Sequence, residues 1–334
     1  MKLDYYSSLQ EKRSAFADST AEPAFFQIDN AAQFRNWYVD MCGLIDKEPL
    51  GQFFRGAGEA RFKLYNSAQR FWRQNDLMGL EALSLKVPYI GMVQNMVDKA
   101  KENALFKRVL PYYGLQDVHA DFPILSILQH YGAPTPLMDW TYDLDVALYF
   151  AVEEAKHWEV DQDIRNYLSV YRIPRKQPSG FIADNLQVVS GNVFPSITRF
   201  AEFAEKKDAI CYISDFEVSN NSKIRPVTTI YNLNILPQKG LFIFNPSDTH
   251  PLENVGGAKY KKSKIACYNI NKDLAELIRL TINQNSINRE FIYPDLRMYA
   301  GGILKEYLRD LVAATVTKTK KPKVRQKPRR SNAR

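Results

Sequence analysis

The sequence predicts an α+β fold, a single domain with a mixed or mainly antiparallel sheet flanked by helices. Apolar residues at helical spacing dominate the first half of the chain, whereas short β-rich segments bounded by Pro, Gly, Asn and Lys dominate the second half. These strands are separated by irregular lengths, without the βα alternation that produces parallel sheets. The sequence contains neither a G-x-G-x-x-G fingerprint nor a Walker loop, which argues against the standard nucleotide-binding folds.

Capping residues and periodicity predict the individual elements. Asp29 or Asn30 can cap a helix whose apolar face includes Phe34 and Met41, and Asp121 can cap another helix. The remaining helices are predicted at 66–78, 85–108, 144–158, 272–284 and 294–312. Strands are predicted in the segments QFFRG, NYLSVYRI, AICYIS, GLFIF and KIACYNI.

Charge and periodicity divide the chain into three predicted segments. Residues 1–28 show little periodicity and are expected to be loosely held, and 29–317 form the α+β domain. From Lys318 to Arg334 the chain carries nine Lys/Arg and no acid, so subtracting nine from the net charge of +8 leaves −1 for 1–317. We expect this basic tail to be disordered. It would suit nucleic acid or another polyanion, or act only as a solubilising tail.

Several classes of protein are disfavoured by composition. No run approaches the roughly 18 apolar residues that span a bilayer, and the first residues lack the apolar core of a signal peptide. Cys42, Cys211 and Cys267 lie far apart, as reduced thiols in a cytosol would, and four scattered histidines indicate no metal cluster. We therefore expect a cytoplasmic protein with no metal and no membrane contact.

Three segments each place a polar group beside a glycine or a turn. They are Phe53-Phe54-Arg55-Gly56, the loop 129–141, and Pro237 to Phe242. A charged guanidinium next to two phenylalanines needs an anionic partner, because burying a lone charge is costly. The following glycine lets a ligand or another backbone approach closely. Two interpretations remain open: the segments line a shared pocket, or an Arg55–Asp139 salt bridge ties strand to loop.

These motifs resemble the FRG domain family, which is named for its (F/Y)-R-G motif. The second motif corresponds to Gln129-His130-Tyr131-Gly132, Pro134-Thr135 and Leu137-Met138-Asp139-Trp140-Thr141, followed by the helix ALYFA. Later matches are Gln238, Gly240 and Phe242, and Tyr293-Pro294-Asp295-Leu296. The resemblance covers roughly 50–312. Where the family commonly has arginine after the loop Thr, this chain has Pro136, which would weaken or rearrange the binding of an anionic ligand.

A weaker resemblance to ADP-ribosyltransferases implies an NAD-binding pocket. It rests on the order of an aromatic-Arg-Gly strand, a segment leading into a helix of A-x-x-F-A type, and a later Glu or Gln. The catalytic residues it implies are Arg55, His130, Asp139, Thr141 and Gln238. The cofactor-binding residues it implies are Arg55, Gly56, Tyr131, Trp140 and Thr141. The protein would then be an ADP-ribosyltransferase-like intracellular toxin or anti-phage effector with an ADP-ribosyltransferase-like fold.

Each of these residues also has an ordinary structural interpretation. His130 can interact with the free carbonyls of a helix end, Trp140 can belong to the core, and Thr141 can cap the next helix. Gln238 can satisfy backbone groups at a turn, and as a neutral amide it replaces the usual acid. Two alternative functions therefore remain open. One is a non-catalytic module that binds a nucleotide or an anionic ligand, and the other is a nucleic-acid-binding protein that acts through its tail.

Overall fold

The central element of the fold is a mixed sheet in which the eight strands of its described part follow the order β1-β10-β4-β2-β3-β9-β6-β5. A computed structural model describes residues 4–16, 24–77, 88–113, 121–155, 163–175, 182–183, 196–207, 211–214, 216–218, 224–226, 234–254, 265–294 and 303–309. The pairs β1–β10 and β5–β6 are parallel, and the other neighbours are antiparallel. The α+β prediction with a mixed sheet is confirmed.

The strands are β1 Phe25–Ile28, β2 Gln52–Ala57, β3 Leu137–Thr141, β4 Tyr167–Pro174, β5 Ile182–Ala183, β6 Cys211–Ser214, β7 Phe216–Val218, β8 Ile224–Pro226, β9 Gly240–Phe244 and β10 Ala266–Asn271. The helices are α1 Leu9–Phe16, α2 Ala31–Lys47, α3 Ser67–Gln74, α4 Tyr89–Glu102, α5 Ala104–Val109, α6 Asp121–His130, α7 Leu144–Glu153, α8 Ile197–Lys207, α9 Ala275–Gln284 and α10 Arg289–Ile292. Strands β7 and β8 pair only with each other among the described strands. These elements belong to a unit of residues 1–292, and in a second unit, 293–334, residues 303–309 are helical.

The two faces of the sheet are covered by different parts of the chain. On the first, here called the N-terminal face, Phe53, Trp140 and Tyr171 pack with residues of the N-terminal segment. On the second, here called the helical face, Phe54 packs under α2, α7 and α9, and Leu137 packs under α3, α4, α6 and α8. Because side chains alternate along a strand, this assignment decides which polar residues can meet.

Strand β3 corrects the prediction that 129–141 forms one continuous loop. Residues 137–141 are an interior strand between β2 and β9, with Leu137 opposite Phe244 and Thr141 opposite Gly240. The prolines that favour a loop end at Pro136. The residues after it are mostly buried and can therefore pair on both sides.

Helix α7 lies directly on the glycine of the (F/Y)-R-G motif. Asp143 caps the helix through its Oδ1, which accepts from the Asp145 N–H at 2.9 Å. A Cβ added to Gly56 would lie 1.9 Å from the carbonyl oxygen of Ala147, so only glycine allows this packing. The helix ends at Glu153, earlier than the predicted 158, and Trp158 lies outside the described residues.

The N-terminal segment corrects the prediction that 1–28 is loosely held. Leu9 and Phe16 of α1 are buried in the core, and Lys12 is fully buried with them. The Lys12 Nζ donates to Ser169 Oγ at 2.7 Å and to Asn269 Oδ1 at 2.9 Å. Because Lys12 lies between Leu9 and Phe16 on the buried face of α1, the sequence does not show the regular spacing of apolar residues that would predict a helix. The predicted tail from Lys318 to Arg334 lies outside the described residues.

Candidate functional site

Strands β2 and β3 separate just after they meet. Their ladder contains one register pair, Phe54 with Thr141. One residue further on, the Arg55 guanidinium Nη1 donates to the backbone carbonyl of Asp139. The side chain of Arg55 therefore lies at the open end of the split, on the N-terminal face and only partly buried.

A cleft of about 390 Å³ lies at this split. Its volume is within the range of small-molecule sites, near the lower end. Its walls combine charged, aromatic and small residues from six parts of the chain. They are Asp4, Tyr5, Arg55, Gly56, Ala57, Phe62, Lys63, Leu64, Tyr65, Arg70, Gln74, Met138 and Glu154.

Two arginines, Arg55 and Arg70, line this cleft. The Arg70 Nη1 donates to the backbone carbonyl of Tyr65 at 2.8 Å. The pKa of Arg70 is lowered, first by desolvation of its head group and then by the positive charge of Arg55, whereas Glu154 and Asp139 act in the opposite direction. Both guanidinium groups thus donate to backbone carbonyls.

Asp4 introduces a carboxylate into the same cleft. It accepts hydrogen bonds from Lys63 Nζ at 2.5 Å, from Tyr65 Oη at 2.7 Å and from Arg73 Nη2 at 3.1 Å. Partial burial alone would raise the pKa of Asp4, but the bonds and charge of Lys63 and the bond from Tyr65 outweigh it and the pKa is lowered. Asp4 is therefore ionised at neutral pH.

Aromatic rings form one wall of the cleft. The Tyr5 and Phe62 rings are tilted at 43° with centroids 5.8 Å apart. The Arg61 guanidinium lies 5.0 Å from the Tyr5 centroid and 5.5 Å from that of Phe62. Tyr5 keeps 44% of its surface exposed, so its ring offers an apolar face beside charged groups.

The second motif, residues 129–141, forms a hydrogen-bonded cluster, here called the Gln129 clamp, that ties the end of α6 to β3 and to the start of α3. Gln129 Nε2 donates to the Asp139 carboxylate at 2.9 Å, and the buried Thr135 hydroxyl donates to Gln129 Oε1. Ser67 at the start of α3 bonds the Thr135 backbone in both directions, at 2.9 and 3.2 Å. The expected Arg55–Asp139 salt bridge is corrected accordingly, because Arg55 binds the carbonyl of Asp139 and Gln129 occupies its carboxylate.

His130 and Tyr131 lie beside this clamp and do not line the cleft. The two rings meet edge-on, with centroids 4.8 Å apart, and Tyr131 is 65% exposed. Desolvation lowers the pKa of His130, and the charge of Asp139 opposes that shift. Their predicted roles in catalysis and nicotinamide stacking therefore have no support from the lining of the cleft.

Thr141 and Gln238 lie together, but away from Arg55. The Thr141 hydroxyl donates to the Gln238 backbone carbonyl at 2.6 Å and accepts from the Asp143 N–H at 2.9 Å. The Gln238 Nε2 donates to the Ile292 carbonyl at 3.0 Å. Because Thr141 is opposite Phe54, it faces the helical face while Arg55 faces the N-terminal face. The prediction that Arg55, Thr141 and Gln238 share a pocket is therefore wrong.

Trp140 belongs to the core. It is 3% exposed and packs on the N-terminal face, where its indole nitrogen has no hydrogen-bond partner among the described residues. It does not line the cleft, so its expected role as a stacking platform for nicotinamide is corrected. Of the eight residues predicted from the sequence, the cleft is lined by Arg55 and Gly56.

Sequence reasoning missed most of the cleft. Lys63, Tyr65, Arg70 and Glu154 lie outside the motifs named above, and Asp4 lies in the segment expected to be loose. One signal was present, because the Asn66-x-x-Gln69 capping box fixes the start of α3 and hence the helical setting of Arg70. Its approach to Arg55 depends on tertiary packing, which no local pattern encodes.

The residues of the cleft suit the phosphate groups of NAD, the expected cofactor, but not its nicotinamide side. Two adjacent guanidinium groups suit a phosphate or pyrophosphate, but the residues assigned to the nicotinamide side do not reach it. Within the described residues, no group of three or more His, Cys, Asp or Glu could hold a metal ion. No helix in that part of the chain is long and apolar enough to cross a membrane.

Comparison with known proteins identifies the domain. The family model of the FRG domain matches residues 51–159, about a third of the chain, from the start of β2 to just beyond α7. That span contains Arg55, Gly56, Arg70, the Gln129 clamp and Glu154. The searches of curated proteins and of solved structures gave no match. Residues 51–159 of this chain are therefore an FRG domain.

Proposed function

We propose that this FRG domain is a binding module for a phosphorylated, nucleotide-like ligand, and that the ligand occupies the cleft beside Arg55. The observation that carries the proposal is the pair of guanidinium groups in the cleft. Neither Arg55 nor Arg70 has an ion-pair partner among the described residues, although the charge of one lowers the pKa of the other. An anion between them would relieve that repulsion.

The rest of the cleft supports a ligand larger than a bare anion. The Tyr5 and Phe62 rings offer apolar surface for a base or another planar group. The Tyr65 hydroxyl and the Glu154 carboxylate provide polar contacts for hydroxyl groups. The volume of about 390 Å³ favours a ligand of mononucleotide size over a fully enclosed dinucleotide.

Calorimetric titration of AMP and ADP-ribose tests the proposal. Arg55→Ala should weaken binding about 10- to 100-fold, because a hydrogen bond to a charged group contributes roughly 1.5–3 kcal/mol. Arg55→Lys should recover only part of this affinity, since an ammonium cannot form the forked contact. The matched control is Arg35→Ala on the exposed side of α2, which should bind like the unaltered chain.

Folding must be checked in the same samples, because Arg55 also binds the Asp139 carbonyl. The proposal requires that the Arg55 variants keep a cooperative unfolding transition while losing the ligand. Affinity unchanged by Arg55→Ala, or the absence of any binding in the unaltered chain, would overturn it.

A transferase activity has one supporting observation. Glu154 lines the same cleft as Arg55, so a carboxylate is present that could stabilise a developing positive charge, as Gln238 could not. Incubating the same samples with labelled NAD separates the two functions, since a binding module leaves the nucleotide intact. A toxin or anti-phage role, and nucleic-acid binding by Lys318–Arg334, stay predictions.

A further inference from the structure

Asp4 has an unusual position for a carboxylate in a site that we propose to bind anions. Its side chain is 45% exposed and lines the cleft, yet it contacts two cations, Lys63 and Arg73. Lys63 lines the cleft as well. An incoming phosphate near Lys63 therefore meets a charge that is already neutralised, and a carboxylate that repels it.

The segment that carries Asp4 is firmly attached. The next residue but one, Tyr6, donates its backbone N–H to the Arg61 carbonyl at 2.9 Å and its hydroxyl to the buried Glu253 at 2.7 Å. Further along, the fully buried Lys12 bonds to two strands. With three hydrogen bonds of its own, Asp4 is a fixed part of the wall, and a ligand cannot simply displace it.

From this arrangement we infer that Asp4 determines ligand specificity by acting as a built-in anion. The cleft is then lined by two guanidinium groups without an ion-pair partner among the described residues, those of Arg55 and Arg70, and by a further cation, Lys63, which Asp4 neutralises. Such a cleft selects ligands with a single compact phosphate group and disfavours polyphosphates, whose additional charges would lie against Asp4. This inference rests on the proposed function and deepens it, because it names the class of ligand.

The test compares AMP with ATP on the full chain, by calorimetric titration at fixed pH and salt without added metal. The unaltered chain should bind AMP more tightly than ATP. Asp4→Asn keeps the shape of the side chain and removes its charge, which frees Lys63 and Arg73. We expect this variant to bind ATP about tenfold more tightly than before, and to change AMP binding less than threefold.

Controls separate a specific effect from a change in net charge. Asp40→Asn, on the exposed side of α2, makes the same charge change on the helical face of the sheet and should leave both affinities unaltered. The Asp4→Asn gain should also shrink at high salt, because it is electrostatic. Combining Asp4→Asn with Lys63→Gln should remove most of the gain, since it removes one of the freed cations.

The outcomes distinguish this inference from the proposed function. If AMP binds and depends on Arg55, but the AMP-to-ATP ratio is the same with and without Asp4→Asn, the inference is overturned and the proposed function stands. If the unaltered chain already prefers ATP, the inference is likewise overturned. If neither nucleotide binds to any variant, both fall together.

Discussion

Arg55 and Thr141 lie on adjacent strands within one register position of each other, and their surroundings are opposite. Thr141 both donates and accepts a hydrogen bond inside the fold, and its partner Gln238 is in turn bonded to Ile292. Arg55 contacts a neutral carbonyl and lies beside a second guanidinium. The hydrogen bonds of Thr141 close within the fold and serve its stability. Arg55 has no ion-pair partner among the described residues, and it is there that we propose a ligand binds.

The largest loss of stability is expected from a substitution at Gly56, where the FRG motif contacts α7 on the helical face. Gly56→Ala places a Cβ 1.9 Å from the Ala147 carbonyl oxygen and 2.7 Å from the Ala151 nitrogen, both in the backbone of α7. Since α7 must move to make room, we expect the free energy of unfolding to fall by about 3 kcal/mol or more, measured by urea denaturation.

Gly43→Ala is the control for this substitution. A Cβ at Gly43 meets nothing within 4 Å, and the residue is inside α2, so alanine should stabilise the chain by up to about 1 kcal/mol. If Gly56→Ala is tolerated as well as Gly43→Ala, the motif glycine serves the ligand and not the packing of α7.

A substitution of intermediate effect on stability should distinguish the structural role of Thr141 on β3 from the binding role that we propose for Arg55 on β2. Thr141→Val removes the hydroxyl that joins β3 to Gln238 and to the start of α7, and should cost about 1–2 kcal/mol of stability because its partly buried partners lose their bonds. Its affinity for AMP should not change. Thr281→Val on α9 is the control, as that hydroxyl bonds only within its own helix. Loss of AMP binding with unchanged stability would reverse the assignment of Thr141.

The smallest expected effect is the loss of stability in acid that results from protonation of Asp4. The pKa of Asp4 is lowered in the folded chain, so its contribution to stability is present above the ordinary value of 3.8 and is lost as pH falls through the folded value. Because the side chain is 45% exposed, we expect at most about 1 kcal/mol. Urea denaturation between pH 7 and pH 3 should show a shallower loss for Asp4→Asn. Identical acid dependence would mean that Asp4 contributes nothing there.

The sequence predicted most helices and strands correctly, but it did not predict which face of the sheet each polar side chain lies on. Asn30, one of the two predicted capping residues, caps α2. The predicted strands that contain Tyr171, Phe242 and Tyr268 are present, and so is the mixed sheet. That Arg55 and Thr141 face opposite sides of the sheet could not be predicted, because it depends on the register of β2 against β3. Shifting the β2–β3 pairing by one residue exchanges the two sides of the sheet, and no local pattern fixes that register.

The remaining errors have a different physical origin. Residues 4–16 looked loose because Lys12 interrupts an apolar face, and burial of a lysine requires partners from β4 and β10 that lie far along the chain. Arg70 and Glu154 were missed because only tertiary packing brings them beside Arg55. Local patterns thus identified which residue types matter, while the cleft itself is a product of long-range contacts.

The parallel pairing of β1 with β10 has a consequence for biogenesis. Phe25 is matched with Cys267, so a ribosome must produce some 240 further residues before the earliest strand finds its neighbour. Contacts of such long sequence separation form late and slowly, and meanwhile the nascent chain shows an unpaired strand edge and uncovered apolar surface. During translation the unpaired β1 is therefore exposed for a long time, in which chaperones can bind the nascent chain or the chain can misfold.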